Sequence, residues 1–197
     1  MTRIGVLALQ GDFEAHGKVL AALGCEVVEV RRVADLSRLD GLVIPGGEST
    51  TLLNLMGDEP WFPALKKFSG NGCALMGTCA GAILLAKNVV NPAQESLGLL
   101  DATIERNAFG RQAESFETKV DAPVWGGNVE AVFIRAPRFL ALGPGVKTLA
   151  TYQGEPVCVQ QGSVLAMTFH PELTRTPTIH EYFLSLTRTA ALTGRPS

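Results

Sequence analysis

Short apolar runs alternate with helical patterns through the first half of the chain, and this alternation limits the fold more than any other feature. Strand-like runs lie at residues 4–9, 26–30, 41–44 and 73–76. Helical patterns follow them at residues 12–23 (with Asp12 as the N-cap), 50–56, 64–68 and 80–86. Strands that alternate with helices form parallel sheets covered on both faces. The pattern therefore predicts an α/β fold around a central, mostly parallel sheet.

The second half of the chain changes character, because turn residues rather than helices separate its strand-like runs. These runs lie at residues 103–105, 116–120, 129–134, 148–152, 157–160 and 164–169, and some are expected to pair antiparallel. Pro177 begins a last helical pattern, whose apolar stripe is Ile179, Phe183, Leu186 and Ala190. Segments 88–94 and 122–127 are expected to be surface loops without a functional role. Residues 1–192 are thus predicted to form one three-layer domain, and residues 193–197 a flexible tail.

Composition excludes several classes of protein. The 197 residues carry 17 basic and 19 acidic side chains, a formal net charge of −2, which disfavours nucleic-acid binding. The longest uncharged apolar stretch, residues 73–86, is shorter than the roughly 20 residues that span a bilayer. The N-terminal residues do not resemble a signal peptide, so we expect a cytoplasmic protein with reduced cysteines. The four cysteines and three histidines lack metal-site spacing, and we expect no structural zinc.

The sharpest local motif is Gly-Thr-Cys-Ala-Gly at residues 77–81, between a predicted strand and a predicted helix. A Gly-x-nucleophile-x-Gly turn holds its central residue on a tight bend at the carboxyl edge of a sheet. Cys79 would then lie at a helix N-terminus, where partial positive charge favours the thiolate, and the N–H of Ala80 could hold an oxyanion. A buried structural cysteine is the alternative. The other cysteines (Cys25, Cys73 and Cys158) lie in strand-like runs and are interpreted as packing residues.

A nucleophilic thiol needs a base, and the base needs a group that orients it. His170-Pro171-Glu172 follows a predicted strand, so His170 would lie at the sheet edge where open α/β proteins bind ligands. Glu172 is close enough in sequence to be held beside the same imidazole. From spacing alone, a strand-end histidine beside a solvated glutamate is the favoured interpretation. His16 and His180 are given only a structural role.

Seven motifs, taken together, resemble those of the class I glutamine amidotransferases over residues 4–183. The elbow at 77–81 and the Phe-His-Pro-Glu-Leu string at 169–173 are typical of the whole class. More specific strings match the glutaminase subunits of pyridoxal 5'-phosphate synthases: LQG at 9–11, PGGEST at 45–50, ERN at 105–107, FGRQ at 109–112 and FIRAP at 133–137. The resemblance implies a three-layer, flavodoxin-like class I glutamine amidotransferase fold.

The resemblance also implies residue roles. Cys79 would attack the carboxamide of L-glutamine, His170 would move the proton to departing ammonia, and Glu172 would orient His170. An oxyanion hole would come from the N–H groups of Gly47 and Ala80, with Gln10 adding polar stabilisation nearby. The implied glutamine contacts are Gly47, Glu48, Ser49, Arg106, Ile134 and Arg135. Neither a cofactor nor a metal is implied.

A partner is implied as well, because the chain lacks a phosphate-binding loop and a Schiff-base lysine for a second reaction. Ammonia would pass to a separate synthase subunit that makes pyridoxal 5'-phosphate from ribose 5-phosphate and glyceraldehyde 3-phosphate. The implied assembly is a synthase dodecamer decorated by twelve glutaminase subunits, and docking would complete the oxyanion hole. The alternatives are a glutaminase subunit of another amidotransferase pathway, a cysteine hydrolase or stress-response protein of the same fold, and a catalytically silent interaction module.

Overall fold

The computed structural model describes residues 1–106, 108 and 115–192, with side chains through residue 187. Asn107 and the FGRQ string at 109–112, the side chain of Ala190 and the predicted tail at 193–197 lie outside the described residues. The α-helices are α1 (Phe13–Ala22), α2 (Ser49–Met56), α3 (Trp61–Gly70), α4 (Ala80–Leu85) and α5 (Thr178–Leu192). The strands are β1 (Arg3–Leu7), β2 (Glu26–Val30), β3 (Gly41–Ile44), β4 (Ala74–Thr78), β5 (Ala86–Val90), β6 (Leu100–Glu105), β7 (Phe116–Ala122), β8 (Gly127–Phe133), β9 (Arg138–Leu142), β10 (Lys147–Tyr152), β11 (Glu155–Gln161) and β12 (Val164–Met167).

A large sheet runs in the order β2-β1-β3-β4-β12-β11-β10-β7-β8. Its first five strands are parallel, and the order β2-β1-β3-β4-β12 is the flavodoxin-like order. The remaining pairings in this sheet are antiparallel. The predicted α/β fold, with a parallel sheet extended by antiparallel strands, is confirmed.

Helices cover both faces of the parallel strands, which gives the molecule three layers. Alternate side chains of β4 enter opposite faces, with Leu75 on the side of α2, α3 and α4 and Met76 on the side of α1 and α5. On the latter side, Ile179 and Phe183 of the predicted α5 stripe are buried. Burial on both faces explains why the inner parallel strands β3 and β12 are continuous apolar runs rather than alternating ones.

Two strands escaped prediction, and both belong to a small second sheet ordered β5-β6-β9. Asn88 lies in β5, so the expectation of a loop over 88–94 is wrong at its start. Two adjacent residues of β5, Lys87 and Asn88, are exposed, which hides the period-two pattern on which strand prediction depends. No helix within the described ranges is long and apolar enough to cross a membrane.

Candidate active site

The carboxyl ends of four neighbouring parallel strands meet at one edge of the large sheet. Gln10 follows β1, Gly46 follows β3, Cys79 follows β4 and His170 follows β12. The pairing register aligns the ends of β3, β4 and β12, since Ile44 pairs with Gly77 and Met167 pairs with Thr78. β1 and β3 flank the point where the strand order reverses, the usual ligand position in open α/β sheets. Residues far apart in sequence therefore converge here for topological reasons.

Cys79 occupies the bend between β4 and α4 in a backbone conformation that is rare for residues other than glycine. Its φ is 49° and its ψ is −105°. Glycines on either side make the bend possible, because a Cβ on Gly81 would collide with the backbone carbonyl of Ile44 and one on Gly77 with the backbone of Gly81. The Cys79 side chain is 5% exposed, and its Sγ lies 3.9 Å from the carbonyl oxygen of Ile134. The predicted elbow is thus present in the structure.

His170 is fixed by a buried carboxylate. Its Nδ1 lies 2.8 Å from Oε1 of Glu172, and the two side chains are almost inaccessible to solvent. A Cβ placed on Gly46 would contact both the His170 ring and the Cβ of Cys79, so imidazole and cysteine flank the same glycine. Burial alone would lower the pKa of His170, but the neighbouring Cys79 and the hydrogen-bonded carboxylate of Glu172 raise it to about 10. His170 is therefore a strong base placed beside the sulfur.

A cleft of about 340 Å³ opens above Cys79 and His170. Every residue that the resemblance assigns to glutamine binding lines it: Gly47, Glu48, Ser49, Arg106, Ile134 and Arg135. Ala80, directly after Cys79, is the first residue of α4, so its N–H has no partner within the helix. Glu172 lies behind His170 rather than in the cleft wall.

Glu48 and Arg106 neutralise each other at one side of the cleft. The Glu48 carboxylate accepts hydrogen bonds from the backbone N–H and hydroxyl groups of Thr50 and Thr51, which makes it the N-cap of α2. Partial burial would raise the pKa of Glu48, but these hydrogen bonds lower it to about 2. Arg106 donates to Glu48 at 3.3 Å and to Thr50 at 2.8 Å. Arg135, by contrast, is exposed and forms no ion pair with any described residue.

Gln10 holds the loop that carries Gly47. Its Nε2 donates to the carbonyl of Gly46 at 3.4 Å, and its Oε1 accepts from the N–H of Glu48 at 3.1 Å. Gly47 has a φ of 136°, and a Cβ there would collide with the Gln10 amide. By bonding the residues on both sides of Gly47, the side chain of Gln10 fixes the loop and therefore the position of the Gly47 N–H.

Sequence reasoning missed several polar residues around the cleft. Asp12 lines it, and its carboxylate does not cap α1 as predicted. Ligand atoms of Asp12, His170 and Glu172 lie within 4.8 Å of one another, which a metal ion could bridge. We assign these groups to the imidazole pair instead, because two of them already hydrogen-bond each other. Gln94, predicted to be a surface residue without a role, accepts a 2.8 Å hydrogen bond from Ser49.

His16 and His180 were also missed, since nothing in their local sequence indicates a site. Both are fully buried. Nδ1 of His16 lies 2.9 Å from Nε2 of His180, and Nε2 of His16 lies 3.2 Å from Oε2 of Glu172. Position relative to the first strand gives a signal for Asp12, which shares the sheet edge with Gln10. No comparable signal exists for the two histidines, because helix packing alone brings them to Glu172.

Comparison with solved structures supports this fold. A solved structure described as a glutamine amidotransferase superposes with a TM-score of 0.88 at 51% identity, covering 94% of this chain and 98% of the other. A chain of PurLQS from Thermotoga maritima has a TM-score of 0.71 at 16% identity, with 98% of each chain covered, which supports the fold alone.

Curated relatives match at nearly full length. A Koribacter versatilis protein is 54% identical over 94% of this chain and 96% of its own length, and one from Thermotoga maritima is 48% identical over 94% and 100%. Both are named pyridoxal 5'-phosphate synthase subunit PdxT. The model of the SNO glutamine amidotransferase family matches residues 6–188. With the fold and nearly the whole length in agreement, the chain belongs to the SNO glutamine amidotransferase family.

Proposed function

We propose that this protein is the glutaminase subunit of a pyridoxal 5'-phosphate synthase, in which Cys79 hydrolyses L-glutamine through a thioester. The observation that carries the proposal is the placement of Cys79 and His170 around Gly46, with Glu172 buried behind the imidazole. A thiol beside a base that is itself oriented by a third group is the arrangement required for nucleophilic acyl transfer.

Acylation begins with transfer of the Cys79 thiol proton to Nε2 of His170. The sulfur of Cys79 attacks the carboxamide carbon, and the carbonyl electrons move onto oxygen. The N–H groups of Gly47 and Ala80 stabilise this oxyanion, a contribution of about 3 kcal/mol per donor in comparable sites. His170 then gives its proton to the amide nitrogen, which leaves as ammonia, and a γ-glutamyl thioester remains on Cys79.

Deacylation uses the same groups in reverse. Neutral His170 accepts a proton from water as the water oxygen attacks the thioester carbon. The second oxyanion occupies the same position, and its collapse expels the thiolate and releases glutamate. Glu172 remains hydrogen-bonded to Nδ1 throughout, so Nε2 is the nitrogen that exchanges protons with the reacting atoms.

Charged groups around the cleft suit a zwitterionic amino acid. Arg135 has no ion-pair partner among the described residues, so it is available for the carboxylate of glutamine. Glu48 stays ionised at neutral pH and offers its exposed side to the ammonium group. The described cleft lining contains no lysine for carbonyl chemistry. We therefore propose that the ammonia is consumed on a separate synthase subunit, in accord with the names of the relatives.

Labelling with a glutamine-mimicking alkylator, followed by mass spectrometry, tests the nucleophile. The expected product is modification of Cys79 alone, with ammonia release abolished in Cys79→Ala. Cys73→Ala serves as the matched control, because Cys73 is partly exposed but lies outside the cleft. Labelling elsewhere, or ammonia release by Cys79→Ala, contradicts the mechanism.

Partnership is tested by measuring glutamine hydrolysis with and without the synthase subunit. We expect the isolated chain to be a weak glutaminase and the complex to be faster, with co-purification of the two chains. Native mass spectrometry then tests the proposed dodecamer with twelve docked glutaminase subunits. Equal turnover with and without the synthase contradicts activation by docking.

A further inference from the structure

A chain of buried polar groups continues behind the His170–Glu172 pair. Oε1 of Glu172 faces His170, whereas Oε2 lies 3.2 Å from Nε2 of His16. Nδ1 of His16 in turn lies 2.9 Å from Nε2 of His180. Oε2 has no hydrogen-bond partner among the described residues, and the ring of His16 is the polar group that lies in contact with it. We propose that His16, with its tautomer set by His180, is a positioning residue that holds the Glu172 carboxylate against His170.

Hydrogen-bond satisfaction decides the tautomers of the two histidines. Each neutral imidazole has one N–H and one bare nitrogen. If His180 carries its proton on Nε2, it donates to Nδ1 of His16, and His16 must then carry its own proton on Nε2, toward Glu172. The orphaned Nδ1 of His180, which has no partner among the described residues, is then only a bare acceptor.

The opposite assignment is unfavourable at both ends of the chain. A proton on Nδ1 of His180 would be a buried donor without an acceptor. His16 would then donate from Nδ1 to His180, and the lone pair of its Nε2 would face the Glu172 carboxylate at 3.2 Å. With both protons on Nε2, only the acceptor Nδ1 of His180 is unpaired. With both protons on Nδ1, the N–H of His180 is a buried donor without an acceptor, and the lone pair of His16 Nε2 lies against the negative charge of Glu172.

Both rings are neutral, so they act as dipoles rather than as counter-ions. Burial and the nearby charges of His180 and His170 hold the pKa of His16 well below its usual range. Burial likewise lowers the pKa of His180 to about 4. The other polar groups that face this network are Thr78, whose Oγ1 lies 3.4 Å from Nε2 of His16, and the carboxylate of Asp12 near His170 and Glu172.

A hydrogen bond at Oε1 and an electrostatic contact with His16 at Oε2 together restrict rotation of the Glu172 side chain. Oε1 then stays in line with Nδ1 of His170, which keeps Nε2 as the nitrogen that serves Cys79. In metal sites, side chains that orient a ligating residue change affinity or activity about 10- to 100-fold when removed, and we expect a similar range for a side chain that orients a triad carboxylate. This inference rests on the proposed function, since it assigns His16 a task in the same reaction.

Nuclear magnetic resonance of histidine-labelled protein tests the tautomers without an activity measurement. The chain has only three histidines, so the imidazole nitrogen signals can be assigned by single substitutions. We expect His16 and His180 to be neutral at pH 7, with both protons on Nε2. A proton on Nδ1 of His16 overturns the proposal. This spectrum is informative even if the protein releases no ammonia, so its failure is distinct from failure of the proposed function.

Kinetics of the complex with the synthase subunit test the positioning role. His16→Leu removes the donor and is expected to lower kcat roughly 10- to 100-fold with little change in KM for glutamine. His16→Gln places an amide N–H near the position of Nε2 and is expected to recover about tenfold of that loss. Equal kcat values for His16→Leu and His16→Gln, or for His16→Leu and the wild type, overturn the proposal.

A matched control separates positioning from a general loss of packing. Thr187→Val replaces another buried polar group on α5, whose hydroxyl bonds only within its own helix at 2.8 Å to Leu184. It is expected to retain wild-type kcat at a similar cost in thermal stability. If Thr187→Val lowers kcat as much as His16→Leu, the effect of His16 is structural and the proposal is wrong.

Discussion

Gly46→Ala places one methyl group between the nucleophile and its base. The added Cβ would lie 3.1 Å from Nδ1 of His170, 3.2 Å from Cβ of Cys79, and well under 3.0 Å from the ring carbon Cε1. Ordinary carbon contacts need about 3.5 Å or more, so the imidazole must retreat by about 1 Å. A misplacement of about 1 Å at a reacting group can reduce the rate about 100-fold. We expect kcat for glutamine hydrolysis to fall by about that factor, with KM changed much less.

The assay is ammonia release by the complex with the synthase subunit, at saturating glutamine. Gly70→Ala is the control, because a Cβ on Gly70 at the end of α3 meets no atom within 4 Å. Overpacking at Gly46 is expected to destabilise the fold by about 1–3 kcal/mol, which thermal unfolding measures separately. Wild-type kcat in a folded Gly46→Ala protein would refute the close apposition of Cys79 and His170 on which the mechanism depends.

Three further perturbations follow from individual contacts. Glu172→Gln should destabilise the protein by about 3 kcal/mol at pH 6. Because the pKa of His170 is raised from 6.5 to about 10, this difference should shrink as pH rises through about 10; urea unfolding that shows no such convergence argues against the charged pair. Glu48→Ala should cost about 1 kcal/mol of unfolding free energy at neutral pH through loss of the α2 cap. That deficit should fade as pH drops from 4.5 toward about 2, and a pH-independent deficit would exclude the ionised cap. Gly81→Ala drives a Cβ into the Ile44 carbonyl, so thermal unfolding should show a loss of at least about 3 kcal/mol, and a near-normal melting temperature would contradict the tight elbow.

Local sequence patterns were sufficient to predict an element where its structure depends mainly on residues within the same short segment. The β2 and β3 strands were predicted to the residue. β3 is an unbroken buried apolar run, and β2 is a short valine-rich run at the sheet edge that begins after Gly24 and Cys25. β5 was missed because its two adjacent exposed residues, Lys87 and Asn88, break the period of two, and β9 was missed because its exposed positions include the apolar Leu140 and Ala141. The Gly-x-Cys-x-Gly elbow could be predicted because its two glycines, only four positions apart, are required by close backbone contacts at the bend. Expectations for residues 109–112 and 193–197 remain predictions, since they lie outside the described residues.

By itself, the amino-acid sequence determined the alternation of strands and helices and the elbow at Cys79, because each depends on residues close together in the chain. The pairing of His170 with Glu172 was implied by the family resemblance and not by spacing. Only the tertiary structure brought Cys79 beside His170, more than ninety positions later, and placed His16 and His180 behind Glu172. These neighbours come from strand order and from the packing of α1 against α5 and the sheet. The packing of whole helix and sheet faces sets the distances between residues that are far apart in the chain. No local sequence pattern therefore predicts which buried polar side chains will contact each other.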